Sequence, residues 1–288
     1  MNLPNKIFGI ETKGAYERAL ASFKNKKPEV KPGIILPQSD IENLQDWIVL
    51  PGHKHEAYEY PDLLVSMHRL SYTPEVERVV KGLGYNLKNT AKEEDGHEYI
   101  GGITWEQALK LNLGLGDFTL NPRQLVDFLN LLRSGRAFDG TGNIIDRRIL
   151  ESILDEMIAV RNPWRSEWLD AGFKVKKVGE NNVLYLHSAH ILYSNGNLTP
   201  QYKKQLKDCL MEDRTPGIDF DYWLNNATSQ GLPPKDIPNG SFYYRYPIRD
   251  NISVALLSAG SDWAYLGCIG GPSDLDDGLG VRRAKIKA

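Results

Sequence analysis

Cysteine is nearly missing from this sequence: Cys209 and Cys268 are the only two in 288 residues. That excludes a disulfide scaffold, and the pair forms no C-x-x-C metal-ligand pattern. Two reduced thiols, with Cys268 buried, are expected. Long apolar runs are also missing. The start, MNLPNKIFGIETKGAYERALASF, has no signal-peptide core, and no later stretch approaches the eighteen or so apolar residues of a spanning helix. The expectation is a soluble chain made in the cytoplasm, without membrane insertion, which leaves display on a virion or cell surface open. Positive charge is not in excess either: 35 Lys and Arg stand against 37 Asp and Glu, for a net charge of -2. Phosphate backbones and acidic lipids are bound by concentrated Lys and Arg, so nucleic acid is a poor default partner.

Several catalytic signatures are absent. The LGLGDF segment, with Gly114 and Gly116, fits neither G-x-G-x-x-G nor the Walker pattern, and there is no G-x-S-x-G nucleophile elbow. No internal repeat is present.

What is present is enough apolar material, 41% of residues, for one large domain or two modest ones. AYERALASFKNKK predicts a short helix over 15–24, followed by a solvated basic linker. Trp47 to Leu50 reads as a strand stopped by Pro51 and Gly52. TPEVERVVKGLG reads as a helix capped by Thr73, opened by Pro74 and closing near Gly82. The strongest helical signal is TLNPRQLVDFLNLLRSG, where Asn121 caps, Leu125, Phe128, Leu129 and Leu132 recur at helical spacing, and Gly135 stops the run. A second helix over 147–160 is expected to bury Ile149, Ile153, Leu154 and Met157, with RAFDGTGNIID as the connector. FKVKKV and NVLYLHSAHILY then predict strands around the GENN turn. Helices first and mostly strands and loops later predict an α+β fold. Residues 1–100 are expected to form an N-terminal portion integrated with a domain over 101–288.

Two histidine pairs invite a metal hypothesis. On a strand, His53 and His55 of GHKH share a face, whereas His187 and His190 of LHSAH point to opposite ones. No full ligand set can be assembled from sequence, so hydrogen-bonded or surface histidines are expected, with no metal or cofactor. PWRSEWLD is expected to give aromatic core packing, with a local pair between Arg165 and Glu167 or Asp170.

The stretch SVALLSAGSDWAYLGCIGGPSDLDDGLGVRRA, 253–284, is the odd one. Between Asn251 and Gly280 there is no Lys, Glu, Gln, Met, Arg or His, in a chain that is 25% charged. A solvated loop should contain Lys and Glu, and a plain core should not contain SDLDDG. A regular set (Ala255, Ala259, Trp263, Ala264, Leu266, Cys268, Pro272, Leu279) alternates with small, polar or arbitrary residues, as in a packed frame that holds exposed positions.

The ending LGVRRA and the strand SVALLSA resemble the C-terminal variable region of diversity-generating retroelement variable proteins, of the archaeal or archaeal-virus kind. The resemblance covers about 242–284. It implies a C-type lectin fold of the formylglycine-generating-enzyme type and a variable region over about 251–280. It also implies a reverse transcriptase that randomises template adenines; from an AAC codon Lys, Glu, Gln, Met and Trp are unreachable, which places Trp263 in the invariant frame. The expected function is non-enzymatic binding of an unidentified protein or surface ligand, in an oligomeric state that sequence does not define. The expected contact residues are Leu256, Leu257, Ser258, Gly260, Asp262, Tyr265, Gly267, Ile269, Gly270, Gly271, Ser273, Asp274, Leu275, Asp276 and Asp277, with Tyr265 as the anchor. A burial alternative is open for Leu256, Leu257 and Ile269. The enzyme alternatives are a formylglycine-type oxidase, which lacks a suitable cysteine pair because Cys209 is expected in a helix, and a metal-dependent hydrolase using His187, His190 and carboxylates. Asp274, Asp276 and Asp277 could offer oxygen ligands to a hard cation, but no further carboxylates join them.

Overall fold

Helix starts in this protein are set by side chains one residue ahead of them. Thr73 accepts from the Val76 amide to open α1 (Pro74–Gly82). Thr104 and Gln107 form a reciprocal capping box at α2 (Trp105–Gly114), and Asn121 and Gln124 do the same at α3 (Pro122–Ser134). Gly135, at φ 63°, ends α3 in the left-handed conformation that glycine adopts without steric cost. Asp146 caps α4 (Arg147–Ile158) and Asp219 caps α5 (Phe220–Asn226). In α4 the buried side chains are Leu150, Ile153 and Met157, while Ile149 is 47% exposed. Ile153 and Met157 are thus buried as expected and Leu154 packs half-buried against the core; only Ile149 departs, rotated about 100° from Leu150, which takes its place.

The computed structural model describes residues 6–7, 10–11, 43–56, 58–92, 96–178, 180–247 and 252–287. Contacts divide the chain into two units, 1–42 and 43–288. In the first, β1 (Lys6–Ile7) and β2 (Ile10–Glu11) pair antiparallel. The helix expected over 15–24 and its basic linker lie outside the described residues.

The second unit is mixed α+β with mostly antiparallel sheets. β3 (Trp47–Leu50) pairs with β6 (Leu63–Arg69), and between them β4 (His53–His55) and β5 (Tyr58–Tyr60) form a hairpin. β7 (Asn89–Lys92) and β8 (Glu98–Ile100) form another. The largest sheet is organised around β9 (Arg165–Val178). Its C-terminal half pairs with β10 (Asn181–Leu192), which pairs with β11 (Leu198–Gln205). Its N-terminal half pairs with β14 (Ser253–Ala259) on one edge and, in parallel, with β16 (Leu279–Gly280) on the other. β15 (Ala264–Gly270) lies between β14 and β13 (Phe242–Arg245), and β12 (Arg214–Ile218) closes that side. β17 (Arg282–Ile286) leaves this sheet and pairs with β6.

The hairpin around GENN matches its pattern. β9, however, starts eight residues before the expected FKVKKV strand. Its residues 165–173 are all buried, so the period-two signal of a half-exposed strand is missing there. One apolar cluster on the sheet contains Ala255, Leu257, Leu266 and Cys268 with α3 and α4. A second contains Val254, Leu256 and Trp168 with α1 and α2. Among the described residues no helix is long and apolar enough to cross a membrane.

Candidate ligand-binding face

All seven residues of β14 are buried. The strand is paired on both edges and covered on both sides, by the α3–α4 cluster and by the α1–α2 cluster. Leu256, Leu257 and Ser258 are 8%, 2% and 2% exposed, so these three are core and not contact positions. The Ser258 hydroxyl accepts from Ser166 Oγ at 2.6 Å across the β9–β14 pair. Gly267 and Gly270 are corrected in the same way. A Cβ at Gly267 would lie 2.8 Å from the Tyr265 ring, and one at Gly270 would lie 3.1 Å from Trp168. These glycines accommodate neighbouring rings.

The remaining expected contacts reach the surface in two groups. The first is the turn between β14 and β15, holding Gly260 and Asp262 and closed by the Gly260 amide donating to the Trp263 carbonyl at 2.9 Å. Tyr265 follows, half-buried, and Ile269 is 40% exposed near the end of β15. The second group is the loop from Gly271 to Asp277. Its backbone is closed by Asp274, which takes the Gly271 amide on Oδ2 at 2.8 Å while its own amide donates to the Gly271 carbonyl. Asp276 takes the Gly278 amide on Oδ1 at 3.0 Å. Backbone bonds from Gly102 to Asp276 and from Ser166 to Gly278 tie the loop to the frame. Ser273, Leu275 (64% exposed) and Asp277 remain directed to solvent. The loop edge, at Pro272 and Ser273, forms one wall of an open cleft of about 400 Å³ whose other wall is Tyr85, Thr104, Glu106, Gln107 and Lys110.

Trp263 departs from its expected place in the frame. It is 38% exposed and stacks on Tyr243 at 4.8 Å between centroids. Tyr243 is paired in register with Tyr265, so three aromatic side chains gather where β13 and β15 meet the turn. Trp164, also 38% exposed, sits against Gly278 and close to Gly260, at the joint of the two groups. Trp164 was expected in the aromatic core of PWRSEWLD and is instead partly open to solvent, and Tyr243 escaped the sequence reading. The alternation in FYYR, buried at Phe242 and Tyr244 and open at Tyr243 and Arg245, was a usable signal for Tyr243.

Beneath this face lies a buried charge network. Arg282 makes a two-pronged pair with Glu167 at 3.0 and 2.7 Å and reaches Glu156 at 2.9 Å. Arg165 also pairs with Glu156, and the Arg69 guanidinium lies 3.3 Å over the Tyr99 ring. Burial lowers the Arg165 pKa to about 10, which leaves it charged at neutral pH. The local Arg–carboxylate pair expected in PWRSEWLD is therefore replaced by partners on α4 and β17. Trp168 is core, its Nε1 donating to the Ile103 carbonyl at 2.7 Å.

The histidines of LHSAH are structural in their surroundings. His190 is buried, with Nδ1 against Asp170 Oδ1, its amide donating to Asp170 Oδ2, and its ring edge-on to Trp105. His187 Nε2 is buried with no partner among the described residues, and burial lowers its pKa to about 4, helped by Lys203. Among the described residues the one group of three metal-capable side chains is His53, His55 and Asp127. That group contains neither His187 nor His190. Both cysteines are buried. Burial raises the Cys209 pKa to about 11 and pushes Cys268 well above the ordinary thiol range, so neither is a thiolate at neutral pH. Cys209 lies outside the helices, in a bridge with Pro234, correcting its expected helical placement.

No family model, curated protein or solved structure matches the chain.

Proposed function

We propose that the chain is a non-enzymatic binding protein whose C-terminal surface, diversified by a retroelement on a C-type lectin-type frame, recognises a protein or surface ligand. The observation that carries this reading is the segregation within 253–284. Six of the eight regular residues, Ala255, Ala259, Ala264, Leu266, Cys268 and Leu279, are buried, while Asp262, Ile269, Ser273, Leu275 and Asp277 are exposed on a backbone that main-chain hydrogen bonds and the Asp274 and Asp276 carboxylates hold in place. Substitution at exposed positions costs about 0.5 kcal/mol or less, so such a face can change partner without unfolding.

The aromatic group of Trp263, Tyr243 and Tyr265 supplies rigid contact area at small entropy cost. The four aspartates at 262, 274, 276 and 277, with no Lys or Arg between 251 and 280, favour a ligand that brings cationic groups to an apolar contact. The five buried positions Leu256, Leu257, Ser258, Gly267 and Gly270 leave the contact set, and Trp263 enters it.

The experiment is population sequencing of the gene segment encoding 251–280, with a search for a near-identical template repeat. Substitutions at 262, 265, 269 and 273–277 that spare 255, 257, 266 and 268 support the reading. A uniform segment, or substitutions spread equally over buried positions, overturns it.

A further inference from the structure

β4 is a three-residue strand, His53–Lys54–His55, so its two histidines fall two residues apart on one face. Their rings stack at 4.5 Å between centroids and 10° between planes. Across from them, one turn into α3, Asp127 points Oδ2 at His55 Nε2, 2.7 Å away. One ligand atom from each of the three side chains lies within 4.8 Å of the others. Tetrahedral zinc with bonds of about 2.0–2.1 Å sets its ligand atoms roughly 3.3 Å apart, so a side-chain adjustment of an ångström or so brings this trio to coordination distance.

The carboxylate is held for that task. Arg123 donates to Asp127 Oδ1 at 2.7 Å and is itself fixed by the carbonyls of Ala227 and Thr228, both at 3.1 Å. The Tyr60 hydroxyl donates to Oδ2 at 2.6 Å. Outer donors of this kind orient ligating carboxylates in metal sites. The guanidinium also subtracts negative charge, which favours a borderline ion gripped by imidazole over a hard cation that needs several carboxylates.

We propose that His53, His55 and Asp127 bind a divalent transition-metal ion of the zinc class, clipping the β4–β5 hairpin to α3. With His53 exposed and three protein ligands among the described residues, at least one coordination position is open to water. The site lies on elements that the proposed ligand-binding face does not use, and it stands or falls separately from that reading.

The test is calorimetric titration of the chelator-treated full chain with zinc, with cobalt(II) absorption reporting geometry. The expected result is one ion per chain, a tetrahedral cobalt spectrum and a rise in melting temperature with zinc. His53→Gln, an exposed change that leaves the Arg123–Asp127 pair intact, weakens zinc at least tenfold and removes the melting shift. His68→Gln serves as the control, because His68 stacks on His97 in a separate pair, and leaves zinc binding unchanged. Zinc affinity in the folded His53→Gln and His55→Gln variants equal to that of the unaltered chain overturns the proposal, as does a loss that follows His68.

Discussion

Strand β14 and the loop 271–278 are separated in the chain only by one turn and one strand, and both are free of Lys, Glu and Arg. β14 is paired along two strand edges and covered on two sheet faces, and every one of its side chains is buried. In the loop the backbone is pinned at Asp274, Asp276 and Gly278, and the side chains between those pins face water. The contrast teaches that tolerance to substitution depends on what fixes the backbone. Where the side chains fix it, a change is felt throughout the sheet. Where main-chain hydrogen bonds and two aspartate carboxylates fix it, the positions between them, such as 273 and 275, are open to any residue.

The largest effect that would sharpen this contrast lies under the sheet. Arg282→Ala leaves Glu167 buried without its charge partner and should cost about 3–5 kcal/mol in urea unfolding. Leu257→Ala, in β14 itself, should cost about 2–5 kcal/mol; a loss as small as that of a surface change would erase the distinction between strand and loop. Acid separates the two regions differently. His187 on β10 is a base whose pKa falls from 6.5 in the unfolded chain to about 4 in the fold. The unfolded state therefore binds the extra proton, and this contribution to stability is complete above pH 6.5 and lost as pH falls toward 4. Unfolding measured across that window should show the slope in the unaltered chain and in Leu275→Ser, and lose it in His187→Gln. A smaller effect is expected for Asp276→Ala, which removes one turn-closing hydrogen bond and should cost about 0.5–1.5 kcal/mol. The smallest is Leu275→Ser, within about 0.5 kcal/mol. A Leu275 variant as destabilised as Leu257→Ala would show that the loop is core.

Helices α1, α3 and α4 were legible because their signals are local; α2 and α5, capped just as locally by Thr104 and Asp219, were not among the helices expected. Thr73, Asn121 and Gly135 each act on amides or carbonyls within four residues, so reading the chain in sequence order finds them. The strands around GENN were legible from alternation. SVALLSA was expected as a strand and β14 has those bounds, but its full burial and the first half of β9 were not legible, because both come from strands and helices far away in the sequence, and a fully buried strand has no period to read. The same holds at the sites. The shared face of His53 and His55 follows from a strand period of two, but Asp127 comes from a helix 72 residues later. Trp263 was assigned to the frame from codon logic, whereas its burial is set by a hairpin turn that puts it beside Tyr243.

The placement of β17 bears on synthesis. Arg282 donates to the carbonyl of Ser66, 216 residues upstream, and β17 completes the small sheet with β6 and β3. Contacts of such separation carry a high loop-closure cost, and they exist only once residues 282–286 have left the ribosome. A stop codon or frameshift anywhere in 251–280 thus removes the strand that locks the unit and strands Glu167 in the interior. On the reading proposed above, a frame lost within the face also removes the Arg282 contacts on which the buried Glu167 depends.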